Sequence, residues 1–514
     1  MDLVSYWVVG FSGSRHLKQP ESVGALIRDA LLDLEKLADG QLVAVSSAAI
    51  GADLLFVEEA ARRQIPWIAV LPFPEDYFFN EKDFPDEGER ESARQRLTTA
   101  ADCEIIRVPR DAEQAADSTW RRTAFAEGGF RCVDQCDVFI AVFHKTSEPA
   151  KRGGTGDVVA YAQASQRPLL IIDPETLEVT RDNWPIRLDD PLTDELKLLG
   201  NAPVDARAQA GLSTAGAVTL AGWRNAFARA ARKHLPGIRW GNTAVVILHA
   251  LATIITAMVF LIMLPIHRVG EGPPHMVITA LEKLAFLFVV MGFGFLIWVV
   301  WKRPQVRAAN YRFAAEIGRS VLAVWSLPGA ALRILRSPPE NFTHFVRSLV
   351  LHHRLDPGRP REASDENLSE QDIQELAGTY VRNRIEPQIK YYFGKHLKSH
   401  RAAVALEIAS ILFSAIAVIS AGFLVYRGPS GWWGFAKLAA ATLAPVALSM
   451  LVIHEVKRRE ARYREMHHML KKYAQRIQLA RSLSTLQDLV VDLEHLFVSE
   501  TYEWWILAKE NVAA

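Results

Sequence analysis

Three short runs of small residues have the composition and placement of anion-binding loops. The first is Gly10-Phe11-Ser12-Gly13-Ser14-Arg15, and the second is Ser46-Ser47-Ala48-Ala49-Ile50-Gly51-Ala52-Asp53. The third is Arg152-Gly153-Gly154-Thr155-Gly156-Asp157. Glycine and serine leave main-chain N–H groups open to a phosphate, and the amino end of a following helix favours the negative charge. Arg15 and Arg152 are suited to neutralise it, best through two parallel contacts. Asp53 has two readings, an acceptor for ribose hydroxyls or a cap for the helix that follows; for Asp157 capping is preferred. His144, just past a strand, has two readings, a ligand contact or a solvated loop histidine, and the second is preferred. One such loop is no more than a tight turn. Three at one edge of a sheet predict a phosphate-bearing ligand.

The elements that must hold these loops can be read from periodicity. YWVVGF, QLVAVS, WIAVLPF, EIIRVP, DVFIAVF and PLLIID are strand-like, and helical stretches such as ESVGALIRDALLDLEKLA and GADLLFVEEAARRQ fall between them. Apolar, β-rich runs alternating with helices predict an α/β domain with a mostly parallel sheet covered on both faces. Such sheets bind ligands outside the carboxyl ends of their strands. Cys103, Cys132 and Cys136 predict buried, reduced thiols, with no disulfide framework. No His or Cys cluster completes a metal set, so no metal site is assigned.

The ordered motifs GFSGSRHL, VSSAAIGADLLFVEEA, VLPFPEDYFFNEKDF and CDVFIAVF followed by RGGTGDVVAYA resemble the SLOG superfamily over about the first 175 residues. The resemblance implies a doubly wound, Rossmann-like sheet that binds a nucleotide or a nucleotide-derived messenger. Hydrolytic relatives carry a GGxGTxxE pattern whose glutamate does the acid/base work. Here Gly153, Gly154 and Gly156 match the glycines, while Asp157 replaces the threonine and Ala160 the glutamate. Alanine transfers no proton. The expectation is therefore a sensor with no catalytic residue, unless Asp157 or Glu127 has taken over.

Charge is segregated along the chain. The 514 residues are 50% hydrophobic and 23% charged, with a formal net charge of +1, so no global field points to nucleic acid. Four nearly charge-free runs, Thr243–Ile266, Leu284–Trp301, Ile408–Tyr426 and Leu438–His454, are each long enough to cross a hydrocarbon core of roughly 30 Å as a helix. They predict an all-α membrane domain with four transmembrane helices. Arg229, Arg232, Lys233 and Arg239 precede the first run; Lys302, Arg303, Arg307 and Arg312 follow the second. Lys395, Lys398 and Arg401 precede the third, and Lys457, Arg458, Arg459, Arg462 and Arg464 follow the fourth. The short loops between carry Arg268 and Lys283, then Arg427 and Lys437. Positive charge inside predicts both termini and the 302–407 segment in the cytoplasm, with the hairpins in the cell's inner membrane. The opening residues, MDLVSYWVVGFSGSRHL, lack the pattern of a signal peptide.

The expected organisation is a nucleotide-binding domain (1–175), a linker and basic juxtamembrane helix (176–239) and a first hairpin (240–304). A cytoplasmic helical region (305–400), a second hairpin (401–456) and C-terminal helices (457–514) follow. Ser369 and Asp372 suggest a capping box. Small residues Ser410, Ser414, Ala417 and Ala421 suit close helix packing, and His249 and Glu407 are the polar groups to watch within or beside the spans. Paired spans with long flanking helices, and the tail DLEHLFVSETYEWWILAKENV, are similar to SLATT two-transmembrane effector modules of bacterial conflict systems, the second hairpin more closely than the first. That resemblance implies an effector that opens or damages the membrane on a nucleotide signal during phage infection. The partners expected are a cyclic or NAD-derived nucleotide, a lipid bilayer and further copies of the chain, with no covalent cofactor and no nucleic acid. The alternatives are a membrane-anchored N-glycosidic hydrolase of nucleotides or NAD, and a non-catalytic scaffold.

Overall fold

A computed structural model describes residues 4–80, 83–144, 153–185, 214–269, 275–302, 304–327, 330–334, 342–358, 368–427 and 431–510. In chain order the first elements are β1 (Tyr6–Gly13), α1 (Pro20–Leu37), β2 (Gln41–Ser46), α2 (Ala52–Arg62), β3 (Trp67–Leu71), α3 (Glu75–Phe78) and α4 (Glu87–Leu97). Next come β4 (Asp102–Ile105), α5 (Ala112–Ala116), α6 (Ser118–Gln135), β5 (Val138–Val142), α7 (Thr155–Ala164), β6 (Leu169–Ile172) and β7 (Val179–Asp182). The helices that follow are α8 (Ala215–Val269), α9 (His275–Lys302), α10 (Pro304–Ala323), α11 (Ala330–Ile334), α12 (Thr343–Arg354) and α13 (Glu370–Tyr380). A π-helical turn (Val381–Ile385) leads into α14 (Glu386–Arg427), α15 (Gly431–Ile453), α16 (Val456–Gln478) and α17 (Leu483–Glu510). The chain forms two compact units, Met1–Trp223 with Val324–Asn367, and Arg224–Ala323 with Leu368–Ala514.

The first unit is built on one sheet of order β4-β3-β2-β1-β5-β6-β7. All pairings are parallel except that of β6 with β7. The chain winds outward from β1 to β4, then crosses back to place β5 on the other side of β1, which is the doubly wound arrangement expected. WIAVL of β3 and VFIAV of β5 are buried at every position because helices cover both faces. One face packs Ile27, Leu31 and Leu34 of α1 and Phe56 and Val57 of α2; the other packs Cys132 and Val133 of α6 and Val158 and Ala162 of α7.

Two features depart from the sequence reading. Gly10 and Ser12 lie within β1, not in a loop after it, since the strand pairs with β5 as far as Gly13. A Cβ on Gly10 would meet Phe139 at 2.7 Å and Cys136 at 2.9 Å, so this glycine serves helix–sheet packing. The second departure is that residues 324–367, between the two hairpins, belong to the α/β unit. Leu351 of α12 joins its second core face. Arg354, 2% exposed in its side chain, pairs with Asp102 at the start of β4 and donates to Gln135 at 2.9 Å.

The second unit is helical. Its stretches Met276–Trp298, Glu370–Arg427 and Trp432–Gln478 each contain a window long and apolar enough to cross a membrane, and Thr243–Val259 adds a shorter apolar helix. Their apolar side chains are largely uncovered, with Val418 72% exposed, Phe286 70% and Ile411 68%, more than a water-facing surface tolerates. This is the composition of a membrane protein. His249 lies against Gly292 of α9, where an added Cβ would come within 2.6 Å of its ring, and its Nδ1 sits 2.7 Å from the Val245 carbonyl. Glu407 pairs with Lys457. Ser410 donates to the Ala444 carbonyl at 3.3 Å, inside the second hairpin, whereas Ser414 is exposed. Thr243 and His454, 2.9 Å apart, join the two hairpins. Away from the apolar segments, α10 packs along α17, with Trp505 donating to Asn310 at 2.7 Å and stacking near Phe313. The Ser369–Asp372 capping box is formed in full.

Candidate functional site

Strand order reverses between β1 and β5, the place where a doubly wound sheet takes its ligand, outside the carboxyl ends of the strands. The Ser14 N–H donates to the Val142 carbonyl at 2.9 Å, tying the first loop to the end of β5. The Ala52 N–H donates to the Ser14 carbonyl at 3.1 Å, tying the start of α2 to the same loop. Gly51 makes this approach possible. It sits at φ +86°, and a Cβ there would fall 2.4 Å from the Arg15 carbonyl oxygen. A Cβ on Gly13 would fall 2.4 Å from that of Ala52. The first two loops therefore converge at the carboxyl end of β1.

The third loop is anchored differently. Gly153, at φ +82°, packs against the Arg122 carbonyl of α6, and its N–H donates to Asp157 at 3.1 Å. Gly154 is the residue before α7, and Thr155, Gly156 and Asp157 form its first turn, each half-buried. Arg152 lies outside the described residues.

Asp53 is 3% exposed, so its carboxyl offers almost no surface to a ribose. It receives the Ser46 hydroxyl at 3.3 Å, and Ser46 in turn accepts from the Ala48 N–H at 3.2 Å. Burial pushes the Asp53 pKa up to about 7, against the opposing pull of Ser46, the Arg15 charge and the amides of Ala49 and Gly13. The folded state thus binds a proton that the unfolded chain releases near its ordinary value of 3.8. The stability this gives is complete below that value and is lost as pH rises through about 7, at most roughly 4 kcal/mol. Asp53→Asn should flatten the slope: amide exchange in α2 grows faster in the wild type between pH 5 and 8, while the variant shows the intrinsic pH dependence alone. Equal slopes would place Asp53 among ordinary carboxylates.

The residues that frame Arg15 carried no assigned role in the sequence reading. Its side chain, 40% exposed, stands 5.2 Å over the Phe125 ring and 3.8 Å from Asp83. Asp83 also pairs with Arg121, which lies 4.4 Å over Phe73 and donates to the Ala115 carbonyl at 2.9 Å. Phe73, Phe78, Phe84 and Phe125 pack edge-on or tilted around them. The signal was the aromatic density of VLPFPEDYFFNEKDF. The carboxylates weighed for hydrolysis are both engaged: Asp157 accepts from Gly153, and Glu127 takes Arg107 through two contacts of 2.5 and 2.6 Å. Ala160, at the position of the hydrolytic glutamate, is exposed.

His144 is half-buried, with its Nδ1 2.8 Å from Asp173 at the end of β6. Cys103, Cys132 and Cys136 are free thiols, the last two buried; desolvation pushes Cys136 up to about 12 and leaves it unreactive. Among the described residues no three His, Cys, Asp or Glu side chains gather as metal ligands.

Residues 380–504 match the family model of the SMODS and SLOG-associating 2TM effector domain 1. The matched range lies within the second unit, from the end of α13 into α17. The match supports the SLATT part of the resemblance over those residues. Among them, Arg384 of the π turn binds Glu494 of α17 through two contacts of 2.7 Å. No curated protein matches the chain.

Proposed function

We propose that this protein is a membrane effector whose α/β unit senses a nucleotide-derived messenger, cyclic or made from NAD, and then opens or disrupts the bilayer in defence against phage. The supporting observation is the convergence of Gly13, Ser14 and Gly51 at the strand-order reversal of a doubly wound sheet, in a chain that also carries a two-transmembrane effector match. Main-chain amides at the α2 terminus favour a phosphate, and Arg15 is exposed enough to reach it. The messenger acts by binding one arrangement of the sheet more tightly than another.

Sensing is favoured over hydrolysis because Ala160 replaces the proton-transferring residue and both nearby carboxylates are occupied. Both termini face the cytoplasm of the inner membrane in this reading, and several copies assemble, since four helices line a poor pore. Cells producing the full chain should take up a membrane-impermeant dye when a cyclic-dinucleotide or NAD-cleaving enzyme is co-expressed. Arg15→Ala should cut that uptake at least about tenfold, in line with loss of a charged phosphate contact. Uptake equal to wild type, at equal protein levels, would remove the site from the mechanism.

A further inference from the structure

The first hairpin is an insertion in the α/β unit: the chain leaves that unit after Trp223 and returns at Val324. Inside the unit, the points of departure and return are held by one helix, α12. The Gly216 N–H, at the start of α8, donates to the Asp356 carboxylate at 3.2 Å. His352 Nε2 sits 3.2 Å from the Gly216 carbonyl, and its ring lies 4.9 Å from Trp223 and 6.4 Å from Trp325. His353, 1% exposed, meets the Trp325 carbonyl at 3.2 Å. There is no slack, because a Cβ on Gly216 would fall 2.4 Å from Asp356. Burial holds the His352 pKa down, which keeps the ring neutral against these neighbours.

The same helix is fixed to the amino end of the sheet. Arg347 pairs with Asp137, the residue before β5, and Asp137 also accepts the Val8 N–H of β1 at 2.8 Å. Arg354 joins Asp102 of β4, with Glu104 at 3.5 Å. Thus β1 and β5 frame the candidate site with their carboxyl ends and carry the anchor of α12 at their amino ends. A small slide of β5 along β1 strains the Val8–Asp137 bond directly and, through the shared carboxylate, the Arg347 contact.

We propose that α12 is a ligand-responsive clasp: through Arg347 and Arg354 it holds both ends of the inserted hairpin at rest, and it lets go when β1 and β5 shift. The clasp rests on the sensing role proposed above and adds the route by which that site acts on the membrane. Its strength lies in buried charge, which tolerates no partial loss of partners.

The test uses the full chain in detergent, without messenger. Arg354→Met and Arg347→Gln should speed amide exchange over residues 342–358 by at least about tenfold, and the change should carry into 304–323, while Arg347→Lys stays near wild type. Arg347 is 20% exposed in its side chain, so its variant keeps the test available should Arg354→Met fail to fold. Unchanged exchange over 342–358 would show that these contacts hold nothing. Faster exchange there with 304–323 unmoved would show a helix that holds but does not transmit. Dye uptake in messenger-free cells separates the two proposals. Uptake that rises with exchange supports both, whereas loosening of 304–323 with silent membranes keeps the clasp and overturns the pore.

Discussion

Gly51→Val is expected to abolish messenger binding, a loss of at least about a hundredfold, while leaving the helical content of the chain intact. Two effects combine. Gly51 sits at φ +86° and ψ −126°, a region that side-chain-bearing residues occupy at a cost of about 1–3 kcal/mol. Its missing Cβ is also what allows the Arg15 and Ser14 carbonyls to lie at 2.4 and 2.6 Å from that point. These are backbone atoms, so relief requires the first loop to move as a whole, and the start of α2, tied to it by the Ala52 N–H bond to the Ser14 carbonyl, moves with it. A displacement of about an ångström is enough to lose the alignment on which an anion site depends. Gly24 is the internal contrast. It lies in α1 with open space around the Cβ position, so Gly24→Ala should stabilise the unit by about 0.5–1 kcal/mol. Titration with a panel of cyclic dinucleotides and NAD-derived nucleotides, alongside unfolding of both variants, checks the pair. A Gly51→Val protein that binds like wild type would remove the converged loops from recognition.

How much of this was legible depended on the range of each interaction. The strands were visible because both faces of a parallel sheet are covered, which forces continuous apolar runs such as VFIAV. The helix capped by Ser369 was visible because its capping box closes within four residues. Gly10 was misread because a glycine inside a strand and one in a loop look alike in sequence; the close approach of Phe139 and Cys136 distinguishes them, and both lie far along the chain. Arg347 and Arg354 had the opposite problem. On a helix of sequence THFVRSLVLHHR they resemble solvated basic residues, and their acidic partners sit more than 200 positions earlier. Asp53 was readable as a helix-terminal acid, but not as a buried one. Its environment is set by how tightly loops one and two close over it, and that closure is a product of the whole fold.

The largest effect in the second unit should come from Glu494. It is fully buried, accepts Arg384 through two contacts of 2.7 Å, and receives the Tyr380 hydroxyl at 2.6 Å. Arg384 also reaches Glu316 of α10 at 3.0 Å and lies 4.3 Å over the Phe497 ring. One guanidinium thus gathers α10, the π turn and α17 around it. Glu494→Gln keeps the shape and removes the charge, which leaves Arg384 buried with half its compensation. Removing one partner of such a pair costs about 3–5 kcal/mol, whereas replacing both with apolar groups is often neutral or better. The double variant Arg384→Met with Glu494→Leu, made in a Tyr380→Phe background so that no buried hydroxyl loses its acceptor, should therefore recover to within about 1 kcal/mol of that background, because Glu316 keeps its contact with Arg319. Unfolding of the detergent-solubilised chain would show the single variant as the weaker of the two. A single substitution that costs less than the double would mean that water already reaches this charge. Full recovery of stability in the double variant without membrane activity would be equally informative: the charge would then set the register of the π turn, whose extra backbone residue makes the helix entering α14 sensitive to rotation. Unfolding measures what the charge does for stability and membrane activity what it does for specificity, so the two readouts together tell the roles apart.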